Sequence, residues 1–253
     1  MLTQELTPAL YQTWRSTWAA HRDRLRPNRI SGPALDRYLR HAYPLAPLTD
    51  PSALRIVTEN VAVTSVAKGY QWIPGLWKEE HIPGFKAMTD RIQQYGTVVI
   101  AQLNHPGRQA SEKFAKAQSW APSAIPDPYH NREMPHEMTI EEIHKTVADF
   151  GDAARRAKEA GFDGVELHGA HGYMIPQFLS LYTNKRTDEY GGDLFNRMKF
   201  LMEIIADVRE KCGGDFILGY RFSADERVTG GLTIEDTKAV VPYLDEAGVD
   251  YFN

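Results

Sequence analysis

The chain has 253 residues, 42% hydrophobic, 11% aromatic and 25% charged, a composition able to bury a sizeable core and at odds with disorder. A net charge of -4 and a pI near 6.1, without a Lys/Arg block, exclude an electrostatic footprint for nucleic acid or an anionic membrane. There is no apolar run of membrane-spanning length and no basic-then-apolar leader, so the chain reads as cytoplasmic, and its single cysteine, Cys212, reads as a helix-end residue.

Residues 1–53 form a segment of their own. Leu2, Leu6, Leu10, Trp14 and Trp18 fall at four-residue steps and predict an amphipathic helix, whereas the basic stretch 22–29 and the Pro-rich stretch 43–48 read as irregular surface. From residue 54 to 253 short apolar runs alternate with longer amphipathic stretches, the pattern of βαβ units on a parallel sheet. The predicted strands are 54–58, 97–101, 164–167, 216–220 and 249–252. A helix is predicted from Thr139, where a Thr cap precedes acidic residues and Ile143, Val147, Phe150 and Ala154 recur at helical spacing up to Gly161. Thr233 opens a second helix in the same way, ahead of Val240, Val241 and Leu244. The segment Glu159-Ala160-Gly161-Phe162-Asp163-Gly164-Val165 is echoed by Glu246-Ala247-Gly248-Val249-Asp250-Tyr251-Phe252, each placing a helix-ending glycine directly before a strand. Because no helix follows the strand that ends near Asn253, the pattern reads as a truncated barrel.

The chemistry gathers behind the strands. His168, Gly169, Ala170, His171, Gly172 and Tyr173 follow the third apolar run, where parallel α/β folds face their ligands. Two chemistries suit this cluster. His168 and His171 can donate hydrogen bonds to an oxygen that gains charge while Tyr173 gives a proton to carbon. Alternatively Glu166, His168 and His171 ligate a metal, with Asp225 or Glu226 from the next strand end. The second run leads to Gln102 and the fourth to Arg221, an amide and a guanidinium suited to reading the edge of a flat heterocycle.

Gln102-Leu103-Asn104-His105-Pro106-Gly107-Arg108, the stretch from Gly161 to Tyr173, Gln177-Phe178-Leu179-Ser180, Asn184 to Gly192 and Asn196-Arg197 together resemble, in order and spacing, the signature blocks of Old Yellow Enzyme-type NADH:flavin oxidoreductases. The likeness runs from about Leu54 to Asn253 and leans toward the 2,4-dienoyl-CoA reductase and enoate reductase branch. It implies an α/β fold, a (β/α)8 TIM barrel of which about five of eight strands are present, holding FMN at the strand ends. It implies that Gln102 bonds the flavin pyrimidine ring, Arg221 its N1/O2 edge, and His168 and His171 the carbonyl oxygen of a small enone, enoate or enoyl-thioester substrate. Tyr173 then protonates the α-carbon, with NADH or NADPH as reductant. The Asn184 to Gly192 block is expected to form a structured loop away from the reacting atoms. The family's first strand is not visible in residues 1–53, and nothing matches the last two strands, which carry the phosphate site. The chain alone is therefore expected to hold FMN loosely and not to persist as a stable monomer, leaving an oligomer or a non-catalytic partner-binding remnant as alternatives.

Overall fold

The computed structural model describes residues 55–253, so the expected helix near the N-terminus and the rest of segment 1–53 lie outside the described residues. Five parallel strands, β1 (Arg55–Ala62), β2 (Val98–Asn104), β3 (Gly164–Gly169), β4 (Ile217–Phe222) and β5 (Tyr251–Phe252), form one sheet in chain order. The long helices between them are α1 (Ile82–Gln93), α2 (Ile140–Glu159), α4 (Leu194–Cys212) and α5 (Ile234–Ala247), with a short α3 (Met174–Leu179) directly after β3. Sequential parallel strands joined through helices are the units of a (β/α)8 barrel, five strands of which lie among the described residues. No helix of the described residues is long and apolar enough to cross a membrane.

All five predicted strands exist, but four reach further along the chain than expected. β1 runs on to Ala62, with a register irregularity between Val57 and Asn60; β2 runs to Asn104, β3 to Gly169 and β4 to Phe222. The cause is the two-residue period of a strand. Val99, Ala101, Leu103, Val165, Leu167, Leu218 and Tyr220 belong to the apolar core beneath the helices, while Gln102, Asn104, Glu166, His168 and Arg221 alternate with them on the other face. An expectation built on near-continuous apolarity passes Glu166 but stops before the polar residues nearest the strand ends. Gln102, His168 and Arg221 accordingly lie inside their strands rather than beyond them.

The helix boundaries agree with their punctuation. Thr139 and Glu142 form a reciprocal capping box, as do Thr233 and Asp236, and Gly161 and Gly248 take left-handed backbone (φ 83° and 118°) behind α2 and α5. The internal echo also has a physical cause. Asp163 accepts a hydrogen bond from Val99 N at 3.0 Å, and Asp250 from Leu218 N at 2.8 Å. Each aspartate ties the entrance of one strand to the strand before it. Cys212 is the last residue of α4, buried, with its thiol pushed up to about 11 by that burial.

The Asn184 to Gly192 block folds as the expected structured loop. Arg186 donates to the carbonyl oxygens of Pro122 (3.0 Å) and Met138 (2.6 Å) and pairs with Asp188, while Asn184 Nδ2 donates to Phe178 O and Tyr190 O, both at 2.7 Å. Spending a buried guanidinium on carbonyls satisfies backbone groups that a loop otherwise leaves open.

Candidate active site

The C-terminal ends of β2, β3 and β4 carry the polar side chains in registered layers. Gln102, Glu166, Gly219 and Tyr251 stand side by side across β2, β3, β4 and β5, and His168 is in register with Arg221 in the layer above. His171 and Tyr173 come from the loop that leaves β3, Tyr173 being the residue that precedes α3. Their rings meet that of His168 edge to face, with centroids 5.0 Å from His171 and 4.9 Å from Tyr173; His171 and Tyr173 are 6.1 Å apart.

This loop is held rigidly for so short a segment. His171 takes left-handed backbone (φ 59°), rare for a residue with a Cβ, and Gly172 follows at 69°. Gln109 Nε2 donates to His171 O (2.9 Å) and Gly172 O (3.1 Å), and His171 N donates to Ser223 Oγ (3.3 Å). Gln177 on α3 completes the clamp: Nε2 donates to Pro106 O (3.1 Å) and Gly172 O (2.7 Å), and Oε1 accepts from Arg108 N (3.1 Å). Its amide lies where a Cβ on Gly107 would stand, which explains a glycine there at φ 62°. The loops after β2 and β3 are thus latched together, and the strain at His171 is supported from both sides.

Burial sets the protonation states. His168 is held down at about 3, first by desolvation, then by the neighbouring His171 and Arg221. His171 is lowered by the same desolvation and by Arg221, and burial raises the Tyr173 phenol above its ordinary value. At neutral pH the cluster therefore offers two neutral imidazoles and a protonated phenol. His168 Nδ1 and Asn104 Oδ1 are buried without hydrogen-bond partners, and among the described residues Arg221 has no ion-pair partner, since Asp225 accepts from Arg227 N and Glu226 from Ser180 and Leu232. Unpaired buried polar atoms and a guanidinium without an ion-pair partner, all on one face of the sheet, suit a polar ring.

A cavity of about 150 Å³ opens beside Tyr173, lined also by Asn60, Tyr70, Asn104, Gln109 and His130. That volume is of the order that accommodates a benzene ring. Tyr70 donates to Glu59 at 3.0 Å, and its phenol is pushed up to about 12, chiefly by burial and then by that carboxylate. Tyr70, Asn60 and Asn104 carry no roles in the motif reading. Asn104 was accessible to it as the next inward position after Gln102, whereas Tyr70 reaches the site from a loop about a hundred residues away in the chain.

The metal alternative is not assembled. Among the described residues no three His, Cys, Asp or Glu side chains converge to hold an ion. Glu166, its first ligand, accepts instead from Gln102 Nε2 (2.7 Å), Tyr251 Oη (2.9 Å) and Asn253 Nδ2 (3.0 Å). Gln102 is therefore engaged one layer below the three rings, through its nitrogen.

Parallel βα units with polar side chains gathered at the strand C-terminal ends have the architecture of a TIM-barrel enzyme. Residues 49–253 match the NADH:flavin oxidoreductase / NADH oxidase family, and the chain belongs to it. It is 44% identical over 172 residues to an NADH oxidase of Thermoanaerobacter brockii, covering 68% of this chain and 26% of that protein. It is likewise 44% identical over 176 residues to an NADPH dehydrogenase of Bacillus pumilus, covering 70% and 50%. The Old Yellow Enzyme homologue of Zymomonas mobilis superposes with a TM-score of 0.72 at 26% identity, covering 80% of this chain and 60% of that one. The chain thus spans about half the length, or less, of these two curated relatives. FMN and NADH or NADPH are the cofactors of this family of oxidoreductases.

Proposed function

We propose that the chain carries the substrate-activating part of an FMN-dependent ene-reductase that reduces the C=C bond of α,β-unsaturated carbonyl compounds with NADH or NADPH. The observation that carries this reading is the convergence of His168, His171 and Tyr173 beside the cavity, two neutral hydrogen-bond donors and one protonated acid. Bound FMN would supply hydride to the β-carbon. His168 and His171 would donate to the substrate carbonyl oxygen, drawing charge onto it and making the β-carbon an acceptor. Tyr173 would then transfer its proton to the α-carbon, so that the alkene gains one hydride and one proton. Gln102 and Arg221 would hold the pyrimidine edge of the flavin, and the uncommitted guanidinium of Arg221 supports that fit. The small cavity favours an enone, an enoate or the acyl end of an enoyl thioester.

The test is a titration of the chain with FMN followed by reduction of a simple cyclic enone. Tyr173→Phe should slow enone reduction by about 10²-fold while leaving reduction of the flavin by nicotinamide unchanged. Equal loss in both half-reactions, or stoichiometric zinc without flavin affinity, would overturn the proposal.

A further inference from the structure

Glu166 is fully buried on the inner face of β3, and three uncharged donors converge on it. Oε1 accepts from Gln102 Nε2 at 2.7 Å; Oε2 accepts from Tyr251 Oη at 2.9 Å and from Asn253 Nδ2 at 3.0 Å. No lysine or arginine reaches it among the described residues. Gly219 makes this possible, because β4 lies between β3 and β5, and the Tyr251 ring crosses the space where a Cβ on Gly219 would stand. A carboxylate placed among donors accepts from each of them.

We infer that Glu166 is a positioning residue that decides which end of the Gln102 amide meets the ligand. Turning that amide over would set Gln102 Oε1 against Glu166 Oε1, two acceptors at hydrogen-bond distance, so Nε2 stays on Glu166 and Oε1 is turned to the other side. Gln102 is only 4% exposed, and its Oε1 accepts no hydrogen bond from the described residues. A free carbonyl oxygen accepts from a donor on whatever binds above it. On the flavin reading, on which this inference rests, the ring edge alternates acceptor, N–H, acceptor, and only the imide N3–H can satisfy Oε1. Glu166 thereby selects a heterocycle that presents an N–H at this position, without touching it.

The test is proton and nitrogen NMR of the full chain with FMN labelled with nitrogen-15 at N3. The N3–H proton should move downfield on binding in the wild-type chain. In Glu166→Gln, whose own amide accommodates either orientation of Gln102, that shift should collapse toward the position in free FMN, with affinity about tenfold weaker. Tyr251→Phe removes a different donor to Glu166 and should keep the shift. Loss of the shift in Tyr251→Phe as well would mean general loosening and would overturn the assignment. So would a wild-type shift that persists in Glu166→Gln. A measurement on the wild type alone decides the matter if Glu166→Gln does not fold: strong through-space contacts between N3–H and the Gln102 side-chain NH₂ place the amide the other way round and refute the inference, and their absence beside a downfield N3–H supports it. Failure of the wild type to bind FMN at all would instead remove the flavin reading, and this inference with it.

Discussion

Replacing His105 with glutamine should flatten the acid sensitivity of the fold. His105 is 1% exposed; its Nδ1 accepts from Gly107 N at 3.0 Å, and burial, followed by the charge of Lys145, holds its pKa at about 3 against an ordinary 6.5. His168 is depressed to about the same value by burial, His171 and Arg221. A histidine whose folded pKa is lowered takes up its proton in the unfolded chain first, so stability is fully present above pH 6.5 and drains away as pH falls toward 3. At 1.36 kcal/mol per unit, a pH of about 5 lies roughly 1.5 units into that window and costs about 2 kcal/mol per histidine, about 4 for the two. Urea unfolding near neutral pH and near pH 5 measures the loss directly. His105→Gln should start less stable, because it disturbs the bond to Gly107, yet lose about 2 kcal/mol less than the wild type between the two conditions. An equal loss in both proteins would refute the idea that His105 is buried neutral.

Gln177→Ala removes three hydrogen bonds, two to the loop after β2 and one to the loop after β3, so it should cost about 3 kcal/mol in urea unfolding. It should also speed amide exchange at Arg108; unchanged exchange there would show that the clamp does not hold the loop. Gly219→Ala sets a methyl against the Tyr251 ring and should lower stability by roughly 1–3 kcal/mol in thermal melting. Combined with Tyr251→Ala, which vacates that space, the added methyl should cost clearly less, and strict additivity would contradict the crossing of the ring over Gly219.

Much of the barrel was legible because its punctuation is local. Thr139 with Glu142, Thr233 with Asp236, and the glycines at 161 and 248 announce helix ends within a few residues of themselves. The ring cluster was legible for a related reason, since His168, His171 and Tyr173 lie within six consecutive positions and one tight turn brings them together. The strands run further than their apolar stretches where polar residues enter them. Asn104, His168 and Arg221 interrupt the apolar runs because they lie on the face of the sheet opposite the helix-covered core. Glu166 was weighed as a metal ligand, and only the register with Gln102 and Tyr251 reveals a different use for it. Tyr70 had no signal at all, since its place beside Tyr173 depends on how two distant loops fold over one another.

The bond from Tyr251 to Glu166 skips a strand. β3 and β5 are two spacings apart in the sheet, on the order of 9.6 Å along a flat surface. The phenol spans that interval, and its 2.9 Å contact therefore acts as a gauge of how far the sheet has rolled. Bending β5 inward would drive the ring into β4, whereas flattening it would pull the hydroxyl off the carboxylate. Curvature, normally a diffuse outcome of twist and packing, is here registered by one tyrosine of fixed length.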